Sequence, residues 1–112
     1  MQIKDTINYK DFAKLDLRVG EIKKVEDIKG ADKLYKILVD VGGEDNIQIL
    51  SGIRKSFTKE ELVGKQIIVL VNLEPRKMKG EISNGMLLAV GDEKNVNLLR
   101  PKNIAKAGEQ VL

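Results

Sequence analysis

Apolar residues recur along this chain in short alternating runs, separated by glycine, proline and clusters of charge. Leu17–Ile28 reads as one long strand. Its apolar positions change phase, from Leu17 and Val19 to Ile22 and then to Val25, with Gly20 at the first change. That pattern predicts a bulged, strongly bent strand of the kind small barrels need. Residues 29–33, with Gly30 among them, predict a turn. Residues 34–41 predict a second strand with Tyr35, Ile37, Val39 and Val41 on one face, the phase of a core strand. Gly42-Gly43-Glu44-Asp45-Asn46 predicts a hairpin turn. Residues 47–53 predict a third strand, with Ile47, Ile49 and Ile53 in phase. Thr58-Lys59-Glu60-Glu61 is a capping box that should start a short helix stopping at Gly64. Residues 67–71, apolar on both faces, predict a central fourth strand, and residues 86–90 a fifth.

Ahead of this set, residues 1–16 predict an extended lead-in and one helical turn capped by Asn8, with Phe12 and Leu15 packing down. After it, residues 96–99 predict a short strand pair that Pro101 ends. The tail that follows keeps Ile104, Val111 and Leu112, which is apolar for a free end. Five strands with one short helix between the third and fourth is the order of an OB-fold barrel. The expected class is therefore all-β, a five-stranded OB barrel with C-terminal extension strands, in one domain over residues 1–112. In that fold the loops between strands 1 and 2 and between strands 4 and 5 flank the ligand face. The second of these, residues 72–85, holds Pro75, Gly80 and Gly85, and so should turn rather than pair. It carries Arg76, Lys77 and Lys79, which sets a basic loop on a rigid sheet, a layout suited to a polyanion.

Charge strengthens that expectation. Residues 1–50 hold nine cations against ten anions, and residues 51–112 hold eleven against seven. The chain has no cysteine and no histidine, which removes a disulfide framework, thiolate and imidazole metal ligands and the usual general base. No cofactor or metal is expected. Ser83 lies in Gly-Glu-Ile-Ser-Asn-Gly, which is not a nucleophile elbow, and no Walker or Gly-x-Gly-x-x-Gly loop is present. A small enzyme is therefore disfavoured. The only aromatics are Tyr9, Phe12, Tyr35 and Phe57, too few for a strong sequence-neutral single-strand binder that stacks bases. Cationic contacts to a folded RNA backbone suit this composition better. Met86, at the loop exit, is read as either core or an adaptable surface against a base. No apolar run reaches the length of a membrane span, and Lys4 and Asp5 interrupt any signal-peptide pattern, so a cytoplasmic chain is the expectation.

Several segments taken together resemble a known family. They are Asp16-Leu17-Arg18-Val19-Gly20, Ala31-Asp32-Lys33-Leu34-Tyr35, Ser51-Gly52-Ile53, Leu62-Val63-Gly64-Lys65, Asn72-Leu73, Pro75-Arg76-Lys77, and Gly80 with Ser83-Asn84-Gly85-Met86-Leu87-Leu88-Ala89. This set is similar to the tRNA-binding domain found at the C-terminus of many methionyl-tRNA synthetases, as a separate synthetase subunit, or as a free-standing tRNA-binding protein. One departure is that many members place His-Pro where this chain has Lys29-Gly30. Met1 lies about ten residues ahead of the domain with no linker between, which favours a free-standing chain. The resemblance implies an OB fold with extra C-terminal strands, a homodimer, and structure-dependent binding of tRNA. It implies a non-catalytic role beside a methionyl-tRNA synthetase catalytic chain, in cis or in trans. Carried over by position, the RNA-facing set is Asn72, Arg76, Lys77, Ser83 and Met86, with Lys33 and Lys79 beside it. The alternative is a chaperone-like or protein-interaction dimer of the same fold, working through its apolar tail.

Overall fold

The computed structural model describes residues 1–92 and 94–112. Its elements in chain order are α1 (Tyr9–Ala13), β1 (Leu17–Ile28), β2 (Ala31–Asp40), β3 (Ile47–Ser51), α2 (Lys59–Leu62), β4 (Gln66–Leu70), β5 (Arg76–Met78), β6 (Glu81–Ser83), β7 (Met86–Leu87), β8 (Ala89–Gly91) and β9 (Val96–Leu98). The main sheet is antiparallel in the order β3-β2-β1-β4-β7. This is the OB-like arrangement expected from the strand order.

Strand β1 is long because it serves two ladders. Its first residues, Leu17 to Glu21, pair with β4, and Glu21 to Ile28 pair with β2. The register slips between Ile22 and Lys24 and again between Asp27 and Ile28. Such slips bend and twist a strand, which lets one sheet curl around a core. The first slip falls after Ile22 rather than at Gly20. Gly20 faces inward instead, where a Cβ would lie 2.5 Å from a Val39 methyl. The alternation of β2 buries Tyr35, Ile37 and Val39 on one face, as expected, and the Tyr35 hydroxyl donates to the Phe57 carbonyl at 2.8 Å. With Ile22, Ile49, Leu62, Ile67 and Val69 they form the core. Helix α2 plugs one end through Leu62. Its Thr58 and Glu61 complete the capping box, and the bond from the Thr58 N–H holds the Glu61 carboxylate below its ordinary pKa.

Sheet edges β3 and β7 approach each other without a ladder. The gap is bridged by Leu50 N–H donating to the Ser83 hydroxyl (3.0 Å) and Asn84 N–H donating to the Gln48 carbonyl (2.8 Å). A smaller apolar cluster of Ile28, Ala31 and Leu50 lies beside the core, with Leu34 and Met78 against it.

Four further expectations change. The first turn is only Lys29-Gly30, so Lys33 lies within β2. Residues 72–85 are not an open loop, because β5 and β6 pair there as a hairpin. The fifth strand divides at Leu88, whose N–H donates to Ile68 (3.0 Å) while its carbonyl accepts from Leu99 (3.0 Å). Finally, Asn8 caps α1 as expected, but Phe12 and Leu15 stay exposed on this chain.

The C-terminal segment folds back. The Gln66 side chain bonds both the N–H and the carbonyl of Ala105. Val19 N–H donates to Glu109 (2.8 Å), Gly108 N–H to Val19 (2.7 Å) and Val111 N–H to Leu17 (2.8 Å). The tail thus lies along the edge of β1 that β2 leaves open. Ile104 and Leu112 remain exposed. Among the described residues no helix is long and apolar enough to cross a membrane.

Candidate nucleic-acid interface

The basic segment begins where β4 ends, and its foot is pinned. The Asn72 amide oxygen accepts the Asp16 N–H at 2.8 Å, and its amide nitrogen donates to the Lys14 carbonyl at 2.7 Å. Val71 N–H donates to the Asp16 carbonyl at 3.0 Å. Asp16 also receives two bonds from the Arg18 guanidinium, at 2.8 and 3.1 Å. That hydrogen bonding, and then the aspartate charge, raises the Arg18 pKa.

Beyond Pro75 the chain forms the β5–β6 hairpin. Arg76 faces Ser83, Lys77 faces Ile82, and Met78 faces Glu81. The turn is Lys79-Gly80, both with positive φ, at 52° and 80°. That is the geometry of a two-residue type I′ turn, and glycine at its second position makes it accessible.

The hairpin is docked through β6 onto β3. The Gln48 amide donates to the Ile82 carbonyl (2.9 Å) and to the Glu81 carboxylate (3.3 Å). Lys36 lies 3.7 Å from Glu81. Ser83 is 5% exposed, and its hydroxyl, besides accepting from Leu50, donates to the Gly85 carbonyl at 3.0 Å. Both faces of that hydroxyl are therefore in use.

The structure brings most of the candidate residues onto one continuous surface. Arg76, Lys77 and Lys79 are exposed, and among the described residues their side chains form no hydrogen bond or ion pair. Several cations elsewhere on the molecule are matched with acids, as in Lys23–Glu21, Lys24–Glu26 and Lys59–Asp27. The last pair holds the Asp27 carboxylate below its ordinary pKa, chiefly through the Lys59 hydrogen bond. Side chains alternate along a strand. Arg76 and Met78 therefore face the barrel, Lys77 faces away, and Lys79 stands at the tip. Lys33 and Lys79 line one shallow hollow of about 270 Å³ at the β1–β2 turn. Leu34 joins that hollow to a deeper cleft, of about 250 Å³, which Arg76 and Met86 line. Met86 is 49% exposed, so it belongs to the surface and not to the core.

Asn72 and Ser83 stand apart from these. Their polar groups hold backbone, one at the foot of the hairpin and one at its root. Gln48, which docks the hairpin, carries no local signal in the sequence, because its partners lie 33 and 34 residues away. Ser51 and Gly52 also line the cleft. They stand in the Ser51-Gly52-Ile53 segment, but nothing in their types marks a role.

Residues 17–110 match the family described as "Putative tRNA binding domain". The chain is 48% identical over 105 residues to a methionine–tRNA ligase of Pyrococcus horikoshii and 44% identical over 105 residues to that of Thermococcus onnurineus. Those alignments cover 94% of this chain but only 14% of each ligase. Among solved structures, a MetRS related protein from Pyrococcus horikoshii superposes with a TM-score of 0.88 at 35% identity, covering 97% of this chain and all of that one. The CsaA chaperone protein from Picrophilus torridus superposes with a TM-score of 0.87 at 34% identity, covering 96% of this chain and all of that one.

Proposed function

Because this chain belongs to the tRNA-binding domain family, we propose that it is a non-catalytic, single-domain tRNA-binding module whose β5–β6 hairpin grips the backbone of folded tRNA. The observation that carries this reading is a docked hairpin whose three cations meet no acid among the described residues. Phosphates supply the missing charge. Backbone contact reads shape rather than base sequence, so the grip is general across tRNAs. Arg76, Lys77, Lys79 and Lys33 meet phosphate, and Met86 meets sugar or base. Asn72 and Ser83 hold the hairpin in place.

A weak, general grip serves a separate catalytic site by raising the local concentration of tRNA there. The similarity to methionine–tRNA ligases makes such a ligase, in the cytoplasm, the partner of choice, joined in cis or acting in trans. The test is the salt dependence of tRNA binding. With about 4–6 phosphates neutralised, log affinity should fall against log salt with a slope of roughly −3 to −5. The similarity to a chaperone protein supports a second reading, in which apolar surface holds unfolded chains. Apolar association does not weaken with salt, so a flat response would reject the RNA reading in favour of that one.

The working unit is a homodimer in this reading. Ile3, Ile7, Phe12, Leu15, Ile104 and Leu112 are all exposed on one chain. Exposed apolar residues in that number support an interface between two copies. Sedimentation at micromolar concentration should give about twice the 12.5 kDa chain mass. A monomer that still binds tRNA tightly would rule the dimer out.

A further inference from the structure

The cleft beneath the hairpin is too small for a drug-sized ligand, for which about 300–1,000 Å³ is usual. At about 250 Å³ it has room for one flat ring. Its walls include Leu34, Met78 and Met86, and its mouth carries Arg76. Ser51 also lines it, and its side chain makes no hydrogen bond among the described residues, so a polar residue borders the cleft. A second hollow of about 300 Å³ shares Ser51, Gly52 and Met86 with it, which leaves a path by which a chain can continue past the ring.

We propose that this cleft takes one unpaired nucleobase of the bound tRNA, with Arg76 on an adjoining phosphate, Met86 against the ring face and Ser51 at the ring edge. The proposal rests on the tRNA-binding reading and adds a base contact to it. A cation at the mouth of an apolar slot matches a nucleotide, which is a flat ring joined to an anion. A paired base cannot enter, because in an RNA helix the ring faces are stacked and the deep groove is narrow. The cleft therefore distinguishes a folded RNA with free nucleotides from a plain duplex. Among the described residues no aromatic lines it, so its contribution sits at the low end of that seen for stacked bases.

Gly52 offers the clean test. It has an ordinary φ, and a Cβ there would meet nothing closer than the Lys33 carbonyl at 3.9 Å. Gly52→Leu should fill the cleft without strain. Fluorescence anisotropy of the full chain would compare unfractionated tRNA with a blunt, fully paired RNA duplex. Gly52→Leu should weaken tRNA binding by about fivefold at every salt concentration, with an unchanged salt slope and unchanged duplex binding. Met86→Ala, at an exposed position, should lower tRNA affinity by about threefold with duplex binding again unchanged, and it carries the test if Gly52→Leu does not fold. Equal losses on tRNA and duplex, or no loss on either, would overturn the base contact while leaving the tRNA reading intact. Unaltered chain that binds neither RNA in a salt-dependent way would overturn both. If the variants keep tRNA affinity but lose binding of a reduced, unfolded polypeptide, the cleft takes apolar side chains and the proposal is overturned.

Discussion

Replacing Arg76, Lys77 and Lys79 together with alanine is expected to weaken tRNA binding on the order of a hundredfold near 0.1 M salt. A phosphate that no longer meets a cation keeps its counterions, so the salt slope should become shallower by about one unit per residue replaced. The fold should be spared. All three side chains are exposed, and the bonds that dock the hairpin come from Gln48, Ser83 and Glu81. Surface changes of this kind usually stay within about 0.5 kcal/mol. Lys4→Ala with Lys10→Ala is the control, since both lie in the lead-in outside the barrel. Ser83→Ala supplies a contrast. It leaves the Leu50 N–H without its buried acceptor, so it should cost about 1–3 kcal/mol of stability and leave the salt slope unchanged. If the control weakened binding as much as the triple variant, binding would be diffuse surface charge and the hairpin would not be the site.

Ile22→Ala should be the most damaging single truncation of the barrel, at about 2–5 kcal/mol against about 0.5–1.5 kcal/mol for Ile22→Val. Ile22 is fully buried and stands where β1 passes from one ladder to the other. Its carbonyl accepts from Gly64 (2.8 Å) and its N–H donates to Lys65 (2.9 Å), which ties the end of α2 to the same point. A hole there has rigid backbone on several sides, so collapse can fill little of it. In a chain of about this size each kcal/mol lowers Tm by about 4–8 °C. Lys23→Ala, next along the strand and exposed, should move stability by no more than about 0.5 kcal/mol. Thermal melts of the three variants decide it. Similar Tm values for Ile22→Ala and Lys23→Ala would mean that the interior is not packed as described.

The barrel was legible in the sequence because its strands announce themselves locally. The alternation in β2, the phase drift in β1 and the Thr58 to Glu61 capping box are all read from near neighbours. The hairpin was not. Each arm has three residues, and Met78 and Ile82 are its only large apolar members. Its pairing depends on Gln48 and Leu50, which lie far away in the chain. Lys79-Gly80 was a usable turn signal, hidden among other glycines and Pro75. The same distance explains Asn72 and Ser83. Both enter the candidate set through the family resemblance, and only the folded chain shows that they bond backbone 56 and 33 residues away. The cations were legible as a group, since charge needs no partner to be noticed.

The pairing of the tail with β1 has a consequence for the order in which the molecule can be made. Arg18 sits across from Gln110, so β1 awaits residues far along the chain from it. On the ribosome the ladders among β1, β2 and β3 can form early, while β4 and then the tail arrive later. Until residues 108–111 are synthesised, the edge of Leu17 and Val19 stays open, with backbone groups ready to pair with a neighbouring chain. Topologies dominated by such distant pairings fold slowly, because loop closure precedes the contacts that reward it. The arrival of residues 108–111 therefore acts as the seal on the nascent barrel.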